Sequence, residues 1–339
     1  LMLTQTCMGL LALGLGLLTI SGHAVLWQVQ VFAFLLGCVT AFDAPARQTF
    51  VSDLVTEAEL SNAVALNSTS FNGARLIGPA AAGLLISWVG SGWVFVINAA
   101  SFVAVIASLH LLRLAELQRH ALAVRTRGSL LEGFRYVWNR PDLVAILSML
   151  FLIATFGLNF PIFVSMMSVT VFHGGPGQYG VLISTMAVGS VTGALLSARR
   201  AQPRLAQLLV SAIAFSVSML VAALMPNAVL FGLVLIVVGM SAQTFMTTSN
   251  SLVQLSTEPA MRGRVLAILL ALALGGTPLG APIVGWVADA FGARWSLGIG
   301  VVAGAAALLV GLRYLVRHRG LRIGFANGRL RIAIDQGRR

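Results

Sequence analysis

Polar side chains recur at helical spacing inside some of the most apolar stretches of this chain. Ser68, Asn72, Arg75 and Pro79 follow one another at i, i+4, i+7 and i+11, which places them on one face of a helix. Gln243, Thr247, Asn250 and Gln254 repeat the arrangement later in the chain. Asp43 and Arg47 stand four apart, a spacing at which carboxylate and guanidinium can pair. The chemistry open to these groups is hydrogen bonding and ionic recognition. A nucleophile with a convergent base is not expected, because Asp and Glu together number only 10 and the five histidines (His23, His110, His120, His173, His318) are scattered. That scatter lacks ligand spacing, so no metal site is inferred. All 22 basic residues are Arg; without Lys there is no phosphate-cradling Gly-Lys loop, and neither direct ATP driving nor any other cofactor is expected.

Each group has a plainer reading beside the functional one. Hydrogen bonds that only hold a helical bundle together would account for Gln243, Thr247 and Asn250 as well as a substrate path does. Arg75 is different. It lies about 13 residues into its segment, roughly 20 Å deep at 1.5 Å per residue, where an ionised group by default faces a wet cavity or a partner. Asp43 and Arg47 read first as a latch at a helix end and second as a coupling pair. Phe156, Phe160, Phe163 and Met167 share a further face, suited to packing or to lining a cavity for an amphipathic molecule.

The elements that must carry these groups are membrane helices. Apolar residues make up 58% of the chain and charged residues 9%, with a mean hydropathy of +0.92, whereas a soluble domain is about 25% charged. Ten apolar segments fall near 1–20, 24–46, 62–87, 93–112, 143–166, 177–198, 205–225, 228–253, 264–289 and 294–315. Each is long enough to cross a bilayer as helix. Arg47, the arginines from Arg113 to Arg140, Arg199, Arg200, Arg204, Arg262, Arg264 and those from Arg313 onward all sit in alternate connections. By the positive-inside rule those connections and the C-terminus are cytoplasmic, in an inner-membrane protein. The net charge of +12 therefore needs no nucleic-acid partner, and the tail from Arg317 reads as an anchor at lipid headgroups. Cys7 and Cys38 lie in apolar segments and imply no disulfide framework.

An internal repeat organises the segments. A shift of 202 residues lays 57–93 on 259–295 without a gap, matching Ala58, Ala65, Gly73, Gly78, Gly83, Gly90 and Trp93 with Ala260, Ala267, Gly275, Gly280, Gly285, Gly292 and Trp295. The repeat unit is then six helices, and two are expected in front of residue 1. The domains follow: an incomplete four-helix bundle (1–112), a cytoplasmic linker (113–142) with a short amphipathic helix near Leu130–Trp138, a six-helix bundle (143–315) and a basic tail (316–339). With two helices missing, this form is expected to transport little by itself.

Two six-helix bundles joined by a basic linker resemble the major facilitator superfamily. The runs Ala41-Phe42-Asp43-Ala44-Pro45-Ala46-Arg47-Gln48, Asn62-Ala63 and Asn72-Gly73-Ala74-Arg75-Leu76-Ile77-Gly78-Pro79 resemble its enterobactin-exporter-like, or transmembrane secretion effector, branch of drug:proton antiporters. Ala74, Gly78, Pro79, Ala82 and Gly83 resemble the superfamily's antiporter motif, with Ala in place of two glycines. Small residues at this spacing let helices approach closely, and Pro79 frees a carbonyl and bends the segment. Gly193 to Arg204 resembles a weakened copy of the cytoplasmic loop motif, with Ser197 where an acid is usual. Gly285 to Arg294 has similar lettering but falls on the opposite side, where it reads as a turn with an acid–base pair. One departure concerns coupling: residues 24–42 carry no charge, so the arginine usual in the middle of that helix is missing. The resemblance implies an all-α transporter that exports amphipathic, drug- or siderophore-like molecules by alternating access against a proton gradient, with monomer as the expected state. The alternatives are a non-transporting membrane sensor or scaffold on the same fold, and a truncated fragment without function.

Overall fold

The computed structural model describes residues 1–56, 59–113, 117, 130–198, 203–259, 261–318, 321–326 and 329–334; within them some side chains, most of them in the second and third helices and the C-terminal strands, lie outside the description. The chain divides into two compact units, Leu1–Arg125 with Gly175–Gly180, and Thr126–Gly174 with Val181–Arg339.

The first unit holds α1 (Met2–Ile20), α2 (Leu26–Asp53), α3 (Leu60–Val89) and α4 (Ser91–His110). Glycine lets α1 and α4 lie close together. Gly16 faces the Gly92 carbonyl and Val96, Gly92 faces Ile20, and Gly9 receives the Phe102 ring. Gly90, at φ 83° and ψ 161°, turns the chain from α3 into α4, a conformation that side chains with a Cβ rarely adopt.

The second unit opens with the short helix α5 (Leu130–Trp138), where the sequence expects an amphipathic one. Glu132 pairs with Arg264 at 2.9 Å and Gly133 packs on the same arginine, while Leu131, Phe134 and Trp138 remain exposed. Arg140 then ties the linker down, donating to Asp142 and to the Ser256 carbonyl. The next membrane segment is not one regular helix. It runs as α6 (Pro141–Leu152), a π-helical turn at Ile153–Gly157, α7 (Phe160–Met166) and a second π-turn at Met167–Val171. After it come α8 (Pro176–Ala198), α9 (Leu205–Leu224), α10 (Ala228–Ser256), α11 (Arg262–Phe291) and α12 (Ala293–His318).

Nine of the described segments are long and apolar enough to cross a membrane. The tenth long segment, α3, is one 30-residue helix that includes side chains outside the description. Residues such as Leu224, Val229, Leu274 and Leu309 point apolar groups outward, as lipid-facing positions do.

The repeat register reappears in the helix ends. Shifted by 202, α3 coincides with α11 at both termini, α2 begins where α10 begins, and α4 begins where α12 begins. Gly292, the counterpart of Gly90, has φ 98° and the same ψ of 161°. The repeat therefore includes the backbone corner as well as the letters.

The basic tail adds one small element: α12 ends at His318, and β1 (Leu321–Ala326) pairs antiparallel with β2 (Arg329–Ile334), Ala326 opposite Arg329. Every described element before this hairpin is helical, as the all-α reading expects. Period-2 alternation in Leu321-Arg322-Ile323 and Leu330-Arg331-Ile332, on either side of Asn327-Gly328, is a two-residue hairpin pattern.

Candidate functional site

Among the described residues of the first unit, the most connected polar cluster joins α1 to α2. Asp43 is 4% exposed, and every side of its carboxylate is occupied. Oδ2 accepts from Arg47 Nη2 at 2.8 Å and Nε at 3.3 Å. Oδ1 accepts from Gln5 Nε2 at 2.7 Å and lies 2.7 Å from the Thr4 hydroxyl. The same hydroxyl is 2.7 Å from the Leu1 carbonyl; with one proton it serves one acceptor at a time. This donor set suits an ionised carboxylate, whose oxygens only accept. Asp43 and Arg47 thus form an intrahelical pair, and Gln5 and Thr4 extend it to a second helix. The arrangement can hold two helix ends together. Gln5 Oε1 is buried without a partner. Sequence reasoning missed Thr4 and Gln5, although adjacent polar residues at the start of an apolar helix were the available signal.

On α10 the polar stripe bonds along its own helix. Gln243 Nε2 donates to Thr247 Oγ1 at 3.3 Å, and Gln254 Nε2 to Asn250 Oδ1 at 3.0 Å. Gln243 and Thr247 are half-buried and Asn250 is exposed. A groove of about 460 Å³ between α8, α9 and α10 is lined by Gln207, Ser211, Ser241 and Thr244 among apolar side chains. Thr247 lies instead at a smaller polar notch with Ser197, Gln207 and Ser251. The groove is of the size that takes small organic molecules, but Gln243, Thr247, Asn250 and Gln254 are not among its lining residues.

On α3, the side chains of Ser68, Asn72, Arg75 and Pro79 lie outside the described residues, so their shared face rests on helix position alone. Ala74 and Gly78 are exposed, Ala82 is half-buried and Gly83 is buried. Among the described residues, nothing lies within 4 Å of the position a Cβ on Gly78 would take. Arg199 and Arg200 of the weakened loop motif are outside the description as well. Of the aromatic face, Phe163 and Met167 are fully buried; Phe160 meets Phe163 and Phe215 edge-on, which is core packing. The expected acid–base pair near the end of α11 does not form. Arg294 instead donates to the Ala223 and Met225 carbonyls at 2.9 and 3.1 Å, satisfying groups that the end of α9 leaves without intrahelical partners.

Comparison with known proteins agrees with this architecture. A bacterial homologue of the human lysosomal transporter Spinster, in an inward-facing and occupied conformation, superposes with a TM-score of 0.67 at 17% identity, covering 92% of this chain and 81% of that one. This likeness is one of fold. The multidrug efflux pump Tap of Mycolicibacterium fortuitum is 30% identical over 278 residues, 78% of this chain and 67% of that protein. The staphyloferrin A transporter of Staphylococcus aureus is 24% identical over 273 residues, 78% of this chain and 66% of the transporter. The chain spans about two thirds of the length of these relatives. The transmembrane secretion effector family matches residues 1–321. With that match over nearly the whole of an integral, multi-pass helical protein, the chain belongs to the transmembrane secretion effector family of the major facilitator superfamily, a family of transporters rather than enzymes.

Proposed function

We propose that the protein exports amphipathic small molecules, of the drug or siderophore class, by alternating access coupled to the proton gradient. The observation that carries the reading is the repeat: α3 recurs as α11 with both ends in register, α2 and α4 begin in register with α10 and α12, and the glycine corner is the same. Secondary transporters are commonly built from such repeats, with polar groups of both halves facing a path near the membrane midplane. The stripes Ser68–Asn72–Arg75 and Gln243–Thr247–Asn250 are the proposed contributions of α3 and α10 to that path. Efflux of drugs by one relative and transport of a siderophore by another suggest the cargo class. Asp43 and Arg47 act as a latch, and the linker and C-terminus lie in the cytoplasm.

Everted inner-membrane vesicles energised by a proton gradient, with ethidium supplied in the medium as an amphipathic cation, test this directly. The expected result is gradient-dependent ethidium movement, abolished by a protonophore and lowered about tenfold or more by Arg75→Ala, with unchanged membrane insertion. Equal flux from vesicles with and without the protein would sink the reading for this cargo class, and normal flux from the Arg75→Ala variant would remove Arg75 from the path.

A further inference from the structure

The interruption between α6 and α7 leaves polar atoms unsatisfied in the middle of the second unit. At Leu158 and Asn159 the helix stops, with Asn159 at φ −83° and ψ 43°, and Pro161 in the first turn of α7 has no N–H to give. Asn159 occupies the cap position of α7 without capping it. Its amide nitrogen turns back to the Thr155 carbonyl at 2.7 Å, and its own Oδ1 has no donor. Thr155 Oγ1 is also without a partner, although Thr170, Thr192 and Thr257 each donate to the carbonyl four residues earlier. Both residues are 1% exposed. π-turns of this kind concentrate at functional positions in helices.

Against this break lies α11, with Gly276 and Gly280 one turn apart. A methyl group on Gly276 would stand 2.5 Å from Thr155 Oγ1, and one on Gly280 would overlap the Thr155 carbonyl oxygen and stand 3.2 Å from Asn159 Nδ2. Only glycine allows α11 to press its backbone onto the break. Over the same stretch Pro278 and Pro282 withhold two N–H groups from the α11 ladder, so α11 bends there more easily than a regular helix. The contact is thus favoured by close backbone packing and opposed by two buried polar atoms, a hydroxyl and an amide oxygen, without a partner among the described residues. Opposed terms of this kind leave a contact that a modest change can open.

We propose that this contact is a hinge of the transport cycle, closed in the structure, and that water reaches Thr155 Oγ1 and Asn159 Oδ1 when α11 moves off it. The hinge rests on the transport reading above. Thr155 and Asn159 act as positioning residues, setting how readily α11 opens and touching no cargo.

Thr155→Val is the decisive variant, because it removes the unpaired hydroxyl while keeping the shape. A hinge biased shut should melt at a higher temperature and carry ethidium about three- to tenfold more slowly, in turnover rather than in half-saturating concentration. Higher stability with unchanged turnover would mean that the orphan hydroxyl is only a packing defect, and would overturn the hinge. A second readout separates this from failure of the transport reading. With Cys7 and Cys38 replaced by Ser, Thr155→Cys is treated with a small water-soluble methanethiosulfonate, with and without ethidium. Ethidium-dependent labelling supports the hinge even if the vesicles show no net flux, in which case transport is the reading that fails. Labelling indifferent to ethidium overturns the hinge, whatever the flux.

Discussion

The two copies of the four-helix repeat, α1–α4 and α9–α12, share the register of α3 with α11 and the starts of α2 and α4 with α10 and α12, but place their polar groups differently. Asp43 of α2 corresponds to Phe245 of α10, and Arg47 to Ser249. In the first unit the position carries a charge bonded to Thr4, Gln5 and Arg47. In the second it carries a fully buried ring. The corner shows the same substitution of means: Gly92 admits Ile20 and the Gly16 carbonyl, whereas its counterpart Arg294 reaches the last carbonyls of α9. Helix length and a positive-φ glycine set the frame, and either a polar network or a packed side chain can fasten it. A polar fastening depends on several partners at once; a packed one depends on volume.

The largest expected effect breaks these fastenings at the matched position. Phe245→Ala should cost about 3–5 kcal/mol by emptying a fully buried site. Asp43→Ala should cost about 2 kcal/mol, less than for a buried pair because Arg47 is 58% exposed and can turn to water. The diagnostic lies in the conservative changes. Asp43→Asn should lose much of the Asp43→Ala penalty's worth of stability, because the Asn amide presents a donor to Arg47 or to Gln5 and Thr4. Phe245→Leu should lose only about 1 kcal/mol. Denaturation of the purified protein in detergent, followed by near-UV circular dichroism, reads both. Similar tolerance of the two conservative changes would mean that the Asp43 network contributes no more specificity than a packed side chain.

A smaller effect separates α3 from α11. Gly280→Ala must push α11 off the Thr155 carbonyl, at about 1–3 kcal/mol. Gly78→Ala meets nothing within 4 Å among the described residues and gains about 0.5–1 kcal/mol from the helical preference of Ala. Opposite signs in thermal melting are the expected result. Destabilisation by both would show that the open face of α3 is covered in the protein as measured.

The parts of this architecture that were legible in the sequence are those written in glycine and in charge. Gly90 and Gly292 announced the corner because few other residues take that backbone conformation, and the arginines marked alternate connections. The pair Asp43–Arg47 was legible from its spacing; its partners on α1 were not, because spacing within one helix says nothing about a neighbour. The π-turns were hidden for a related reason. A helix that hydrogen-bonds five residues back has the composition of one that bonds four back, and segment 143–166 reads as continuous. Asn159-Phe160-Pro161 was the visible mark of the break, since a proline in the first turn of a helix follows a cap. In the tail, the count of arginines drew attention away from their alternation with Leu and Ile, which carries the hairpin.

The smallest expected effect concerns the corner itself. The end of α9 leaves carbonyls without intrahelical donors, and Arg294 supplies two of them from the start of α12. Arg294→Met keeps most of the aliphatic stem and removes the donors. Because Arg294 lies at a helix end rather than in the bundle centre, water can replace part of what is lost, so the cost should be about 1 kcal/mol. The matching position in the first unit has no such donor to lose, and there Gly92→Ala acts by collision with Ile20 instead. Hydrogen exchange distinguishes the two. Arg294→Met should loosen the last turn of α9 while leaving the α9–α12 packing protected, as Ser216 still donates to the Val301 carbonyl at 2.8 Å. Gly92→Ala should loosen α1 and α4 together, since the contact it disturbs is the close approach that joins them. If Arg294→Met instead releases the whole length of α9 and α12, the guanidinium is holding the helix pair together, and the second unit depends on a polar fastening as much as the first.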